Sequence, residues 1–232
     1  MKGPHDLVMI SAERLSGHAA SGGYDSVRIA DRLMATLPEA IVFWFLRHQS
    51  EAIRSEYKQL VRAGWTGKVS KTMDPAVRRR TTGFDVAYWE YDRLVSAYVA
   101  RFGHEKVLVL DYGAFTQNSC KSLDEIAAFL GIDQWKLRGG QLTQRVNVSK
   151  SDREMRFRQV LNHYTRSEFN PYPPFELPAR LRMLVVKQNV LLPDSYRLFG
   201  ESFDDWVETR YRDSNRKLLE DWQIRLTRSG TP

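Results

Sequence analysis

Apolar residues in the first half of the chain fall into short continuous runs. The run AIVFWFL, Ala40–Leu46, is rich in β-branched and aromatic residues and lies between Pro38 and Arg47. It is too short for a helix and is typical of a strand buried on both faces, as in parallel sheets. The run KVLVLDY predicts another strand, and the short run Leu7–Ile10 predicts a first one, closing on Ser11, Ala12 and Glu13.

Between these runs, apolar residues recur at helical spacing. The segment SVRIADRLMATLP predicts a helix that ends before Pro38, and the segment after Arg47 predicts a helix ending near Gly64. VAYWEYDRLVSAYVARFG predicts a longer helix with Gly103 at its end. In SLDEIAAFLG, Ser122 and Glu125 form a capping-box pattern and Gly131 ends the helix. Strands alternating with helices predict a parallel α/β sheet with right-handed crossovers, flanked by helices.

The pattern changes after about Ile132. A long polar segment, a proline-rich loop (NPYPPFELP) and three further helical patterns (MRFRQVLNHY, LRMLVVKQNVLL and RKLLEDWQIRL) follow. We therefore expect one domain over 1–232, with an α/β core at 1–132 and a loop-rich, largely helical part at 133–232.

Composition narrows the range of partners. There are 35 Lys and Arg against 28 Asp and Glu, a formal net charge of +7. This excess favours anionic partners such as nucleotides or sulfated sugars, although it also serves as a general solubilising charge. No zinc-finger, RNP or KH pattern is present, so a nucleic-acid partner is not expected. The lone Cys120 excludes an intramolecular disulfide and, with no signal-peptide pattern and no long apolar run, predicts a soluble cytoplasmic protein.

Two polar residues at the second strand stand out as a candidate anion site. Ligands of open parallel sheets bind beyond the carboxyl ends of the strands. Arg47 ends a strand there, and Ser55 follows eight residues later on the next helix. A guanidinium and a hydroxyl so placed can hold one phosphate. The alternative is that Arg47 caps carbonyls or pairs with a carboxylate such as Asp111.

Four segments, in order, resemble the sulfotransferase family, chiefly its bacterial, carbohydrate-type members. FLRHQSEAIRSEYKQLVRAG resembles the segment that binds the 3′-phosphate of 3′-phosphoadenosine 5′-phosphosulfate (PAPS), and KVLVLDYGAFTQNSCKSLDEIAAFLGI resembles the next family block. RVNVSKS and YRDSNRKLLEDWQIRL resemble late segments. The resemblance implies a P-loop-NTPase-like α/β fold, PAPS as co-substrate, no metal, and Arg47 and Ser55 as 3′-phosphate ligands.

One departure from the family concerns the other end of the nucleotide. Family members open with a loop of the type Pro-Lys-Thr-Gly-Thr-Thr that grips the 5′-phosphosulfate, and this sequence has no such loop. The resemblance thus implies an N-terminally truncated chain that starts after the family's first strand–loop–helix unit, with another chain as a possible source of the missing part. A sheet lacking that strand is expected to be marginally stable or to self-associate, for example as a homo-oligomer.

The remaining roles follow from the resemblance. Glu13 is the candidate base for an acceptor hydroxyl, its alternatives being a helix N-cap or an ion pair with Arg14; His18 is the second candidate base. Arg145 and Asn147 are candidate nucleotide contacts, their alternative being a loop held by Asn hydrogen bonds. Asn215 matches a family position, although Ser214 or Asn215 also fits a helix N-cap. The five histidines share no metal-ligand spacing.

Three functions therefore compete. The first is a PAPS-dependent sulfotransferase acting on a hydroxyl, with a carbohydrate as the expected acceptor. The second is an inactive or partner-dependent protein of the same fold that binds a 3′-phosphoadenosine nucleotide or acts as an interaction module. The third, a basic nucleic-acid-binding domain, has no recognisable motif and would show a salt-dependent affinity for DNA or RNA.

Overall fold

Two parallel strands form the centre of the fold. The computed structural model describes residues 8–19, 22–73, 85–133, 151–178, 180 and 197–229. Strand β1 (Val42–Leu46) pairs in parallel with β2 (Val107–Asp111), in a register that sets Val42 beside Val107 and Leu46 beside Asp111. Both strands lie where the apolar runs predict them. Their carboxyl ends, at Leu46 and Asp111, therefore lie side by side at one edge of the sheet.

Helices account for most of the remaining described chain. They are α1 (Ser26–Thr36), α2 (Gln49–Arg62), α3 (Val69–Thr72), α4 (Tyr91–Phe102), α5 (Tyr112–Gln117), α6 (Ser119–Leu130), α7 (Asp152–Asn162) and α8 (Phe203–Trp222). Short 3-10 turns occur at Glu13–Ser16, Val86–Trp89 and His104–Lys106. Parallel strands flanked by helices confirm the predicted α/β class.

The core is formed by the apolar faces of three helices and the sheet. Ile53, Tyr57 and Val61 of α2 are fully buried at the helical spacing expected of a core face. They join a single cluster with the α4 stripe Val95, Tyr98 and Phe102 and with the buried apolar residues of α8, which are Phe203, Val207, Tyr211 and Leu218. Helix α4 packs against α1 and α8, and α2 packs against α7 and α8. This packing fixes α2, and with it the end of β1, from both sides.

The strand predicted at Leu7–Ile10 is not formed by residues 8–10, the part of it that the structure describes. Val8, Met9 and Ile10 are not in a strand, and they are 80%, 70% and 63% exposed. A strand exists only where a neighbour completes its hydrogen bonds. Within the described residues no third strand pairs with β1 or β2, so the apolar run has no sheet position to occupy.

Two predicted helix boundaries are also wrong. Helix α6 begins at Ser119 rather than at Ser122, because the Asn118 side chain accepts a hydrogen bond from the Lys121 amide at 3.1 Å and caps the helix. Ser122 is buried inside the helix. Helix α8 is longer than predicted, so Ser214 and Asn215 lie in its interior and neither is an N-cap. The predicted end at Gly131 is confirmed, with Gly131 in the left-handed conformation at φ 64°.

Candidate functional site

The turn between β1 and α2 is fixed by local hydrogen bonds. His48 is the N-cap of α2, and its Nδ1 atom accepts a hydrogen bond from the Ser50 amide at 3.3 Å. The Tyr91 hydroxyl donates to the Arg47 carbonyl at 3.0 Å. The backbone of Arg47 is thus held between the end of the sheet and the start of a 14-residue helix. A helix start beside a cation is a favourable setting for an anion.

The Arg47 side chain pairs with a carboxylate, although not with the predicted one. Its Nε atom lies 3.0 Å from Oε2 of Glu51, one turn further along α2, and its guanidinium lies 5.5 Å from the centre of the Tyr112 ring. Asp111 instead accepts hydrogen bonds from the Gly113 and Ala114 amides and from Thr227. Asp111 therefore caps α5 and anchors the C-terminal segment. The Arg47 side chain stays 40% exposed at the edge of the sheet.

One cleft brings four of the predicted site residues together. A cavity of about 430 Å³ opens between the 3-10 turn at Glu13–Ser16, the end of β1 and one face of α2. Glu13, His18, Arg47 and Ser55 all line it. Arg145 and Asn147 lie outside the described residues. The described cleft thus joins both candidate phosphate ligands with both candidate bases.

Glu13 lies at the mouth of this cleft. It begins the 3-10 turn rather than capping it: the N-cap position belongs to Ala12, which makes no side-chain cap. Across the part of the chain that the structure describes, no ion pair joins Glu13 to Arg14. The Ser16 hydroxyl holds the turn closed on the Glu13 carbonyl at 2.8 Å. Glu13 is therefore an exposed lining residue of the cleft and is engaged only through its backbone in this turn.

His18 follows a glycine that the packing requires. Gly17 has φ 90°, and a Cβ there would lie 2.3 Å from the Ser26 hydroxyl. The Ser26 hydroxyl itself donates to the Ser16 carbonyl at 2.7 Å, which ties the 3-10 turn to α1. Residues Gly17–Ala19, which begin a Gly/Ser-rich segment, thus form part of the cleft wall.

Glu56 is a cleft residue that sequence reasoning missed. It follows Ser55 on α2, and the cleft face of this helix carries Ala52, Ser55, Glu56 and Gln59. These positions have the spacing of one helix face, distinct from the buried stripe at Ile53, Tyr57 and Leu60. This spacing is the sequence signal that could have indicated Glu56. Burial raises the pKa of Glu56, the charge of Glu13 raises it further, and Arg14 opposes both.

A tyrosine lies near the two carboxylates. The Tyr88 hydroxyl lies 3.0 Å from the Ser16 hydroxyl, and Tyr88 lines the cleft. Burial raises the pKa of Tyr88, and the charges of Glu56, Asp25 and Glu13 act in the same direction. At neutral pH this hydroxyl therefore stays protonated and can donate or accept a hydrogen bond.

Asn215 is not among the residues that line the cleft, but it contacts a neighbouring residue of α2. The Gln49 side chain donates to Oδ1 of Asn215 at 2.6 Å, which joins α8 to the first residue of α2. Gln49 is fully buried. Asn215 therefore helps to hold the start of α2 next to Arg47.

The described residues contain neither a metal-ligand cluster nor a membrane-spanning helix. There, no group of three or more His, Cys, Asp or Glu side chains is arranged to hold a metal ion. In that same part of the chain, no helix has the length and apolar character needed to cross a membrane. Cys120 is an exposed free thiol.

Comparison with known proteins gives a partial match to one family model and a similar fold. Residues 25–136 match the model of a sulfotransferase family, and this segment includes β1, Arg47, Ser55 and β2. A comparison with curated proteins gives no match.

Among solved structures, a sulfotransferase from Alicyclobacillus acidocaldarius is similar, with a TM-score of 0.52 and 14% sequence identity. The similarity covers 87% of this chain and 62% of that protein, so this chain spans less than two thirds of that relative's length. The family match and the shared fold agree with the arrangement of strands, helices and cleft described above. The match over residues 25–136 and the shared fold make this chain similar to the sulfotransferase family.

Proposed function

We propose that this chain binds PAPS and transfers its sulfuryl group to a hydroxyl of a carbohydrate. The observation that carries the proposal is that Arg47 and Ser55, which the sequence resemblance assigns as 3′-phosphate ligands, line one cleft with Glu13. The partial match to a sulfotransferase family model suggests the reaction class, and the cleft offers groups for the nucleotide and for the acceptor.

The nucleotide end of the cleft is formed by the β1–α2 turn. The Arg47 guanidinium would donate charge-assisted hydrogen bonds to the 3′-phosphate, and the Ser55 hydroxyl would donate from the next turns of α2. Arg145 and Asn147 remain proposed contacts from the late loop. The 232 residues contain no Pro-Lys-Thr-Gly-Thr-Thr loop for the 5′-phosphosulfate.

The transfer itself needs alignment and a proton acceptor. The acceptor oxygen attacks sulfur, a new S–O bond forms, and the bond from sulfur to the 5′-phosphate oxygen breaks. That oxygen keeps the electron pair and leaves as part of adenosine 3′,5′-bisphosphate. The hydroxyl proton passes to a carboxylate, for which Glu13 is the candidate, with His18 as the second.

A second function follows from the departure from the family pattern, since these 232 residues contain no Pro-Lys-Thr-Gly-Thr-Thr loop. A chain that keeps the 3′-phosphate ligands without a 5′-phosphosulfate loop would bind the nucleotide without turning it over, alone or until a partner chain completes the site. Both functions predict nucleotide binding, and only the first predicts transfer by the chain alone.

Calorimetric titration with adenosine 3′,5′-bisphosphate tests the shared prediction, with adenosine 5′-monophosphate as the control. Binding that depends on the 3′-phosphate supports the site, and equal affinity for the two nucleotides contradicts it. Release of the bisphosphate from PAPS in the presence of sugars then separates the two functions. Binding without turnover favours the second.

A further inference from the structure

Glu56 faces the cleft without a partner of its own. It lies on the same α2 face as Ser55, next to it in the chain, and its side chain is partly withdrawn from water. Within the described residues its carboxylate has neither an ion pair nor a hydrogen bond. A carboxylate in this state costs stability, because its lost hydration is not replaced. Such a group is retained most readily where a ligand supplies the missing hydrogen bonds.

The surroundings of Glu56 define one half of the cleft. Glu13 and Arg14 approach from the 3-10 turn, and both act electrostatically on Glu56. Tyr88 contributes a protonated hydroxyl from the segment before α4. Trp44, from the middle of β1, adds an aromatic wall.

The charged groups that act on Glu56 are Glu13 and Arg14, and Arg47 is not among them. We therefore assign the half of the cleft around Glu13 and Glu56 to the acceptor and the half around Arg47 to the nucleotide. Carboxylates accept hydrogen bonds from hydroxyl and ammonium groups and repel anions. An acceptor that carries its own negative charge would meet both repulsion and unpaired carboxylates.

We propose that Glu56 binds the acceptor and selects an uncharged or amine-bearing polyhydroxyl compound over one that is already sulfated or carboxylated. This inference rests on the proposed function, since it takes the half of the cleft around Glu13 as the acceptor side. It refines the conclusion drawn from net charge: the chain as a whole carries +7, but its acceptor side favours neutral or cationic groups.

Three sugars that differ in charge test this selection directly. Binding of the methyl glycosides of glucosamine, glucose and glucuronic acid is measured by ligand-observed NMR, with and without saturating adenosine 3′,5′-bisphosphate. The wild-type chain should bind the amine and the neutral sugar about tenfold more tightly than the uronate. Equal or tighter binding of the uronate, or no measurable binding of any of the three, overturns the proposal.

Variants at position 56 assign the selection to this residue. Glu56→Lys should reverse the order of the three sugars, and Glu56→Gln, which removes the charge at nearly constant shape, should remove most of the discrimination. Glu125→Gln, on the exposed face of α6, is the matched control and should keep the wild-type order. An unchanged order in both Glu56 variants overturns the proposal.

A separate measurement keeps failure of the proposed function distinct. Both Glu56 variants should bind adenosine 3′,5′-bisphosphate within about twofold of the wild type, because the nucleotide is assigned to the Arg47 half of the cleft. A wild-type chain that binds no bisphosphate contradicts the proposed function. The order of the sugars measured without nucleotide still decides the role of Glu56.

Discussion

The Nε atom of Arg47 lies 3.0 Å from a carboxylate oxygen of Glu51, and the same carboxylate accepts hydrogen bonds from the Ser229 hydroxyl at 2.8 and 2.7 Å. The candidate phosphate ligand is therefore already paired. A phosphate that binds to Arg47 must share the guanidinium with Glu51 or displace it. The remaining N–H groups of the partly exposed guanidinium allow sharing, because arginine presents five donors.

Replacing Arg47 by Ala should weaken the binding of adenosine 3′,5′-bisphosphate by about 2–3 kcal/mol, because a charge-assisted contact is lost. Affinity for adenosine 5′-monophosphate should change much less. Calorimetry measures both, with Arg62→Ala, at the exposed end of the same helix, as the control. Bisphosphate affinity in Arg47→Ala equal to that of the wild type would exclude Arg47 as a phosphate ligand.

Replacing Glu51 by Gln should strengthen bisphosphate binding several-fold, on the order of 1 kcal/mol, since it removes a negative charge beside the phosphate position. The glutamine can still accept a hydrogen bond from Ser229. Weaker binding in this variant would show instead that the ion pair holds Arg47 in its binding position.

Replacing Ser55 by Ala should cost about 1 kcal/mol of bisphosphate affinity, the ordinary contribution of one hydrogen bond. Its effect should fall below that of Arg47→Ala, because the serine hydroxyl is uncharged. Ser96→Ala, at an exposed position of α4, is the control. A loss confined to the bisphosphate, with the monophosphate unaffected, is the expected signature.

Replacing Glu56 by Gln should stabilise the free chain at neutral and alkaline pH. Because burial raises the pKa of Glu56 above its ordinary value of 4.5, the folded chain keeps a proton that the unfolded chain has released. The stability due to this proton is complete below pH 4.5 and is lost as pH rises through the folded pKa. Glutamine does not titrate, so the variant does not lose this stability as pH rises.

Urea unfolding between pH 4 and 8 measures this difference. The free energy of unfolding of Glu56→Gln should exceed that of the wild type increasingly as pH rises, whereas Glu125→Gln should follow the wild type. A variant less stable than the wild type at pH 8 would mean that the Glu56 carboxylate has a stabilising partner.

The His48 N-cap predicts a second dependence on pH. Burial lowers the pKa of His48 below its ordinary 6.5, with Arg228 acting the same way and with Glu208 and Glu51 opposing. The unfolded chain thus binds this proton at a higher pH than the folded chain does. The associated stability is complete above pH 6.5 and is lost as pH falls through the folded pKa.

His48→Asn isolates this contribution. Asparagine can cap α2 without titrating, so the variant should lose less stability than the wild type between pH 7 and pH 5. Thermal or urea unfolding at the two pH values gives the comparison. Equal losses in both chains would show that protonated His48 is fully compensated by the Glu208 carboxylate, whose oxygen lies 3.3 Å from Nε2.

Local patterns predicted the parts of the fold that depend on local physics. The run ending at Leu46 and the helical stripe of α2 each carry their own signal, and together they place Arg47 and Ser55 on one cleft. The predicted start of α6 was wrong because two residues that can cap a helix lie close together. The capping-box pattern favoured Ser122, whereas Asn118 is the N-cap in the structure. Sequence spacing cannot decide between two adequate caps.

Long-range partners could not be predicted from the sequence. Whether Val8–Ile10 forms a strand depends on a neighbouring strand, and the apolar run itself carries no information about one. Asp111 was the example of a carboxylate in the alternative interpretation of Arg47, yet Asp111 accepts a hydrogen bond from Thr227, which lies 116 residues away in the chain. Glu56 was missed because a charged residue on a helix is usually solvent-exposed, and the helical spacing that relates it to Ser55 does not by itself show that this face lines a cleft.

The Ser229–Glu51 contact has a consequence for how the chain folds. These residues are 178 positions apart, and the Thr227–Asp111 contact spans 116. Contacts of this range form late, because a long loop must close before they contribute. During synthesis the turn at Arg47 leaves the ribosome well before the segment that completes its surroundings. The nucleotide end of the cleft should thus be among the last parts of the molecule to reach its final form, after the helical core has assembled.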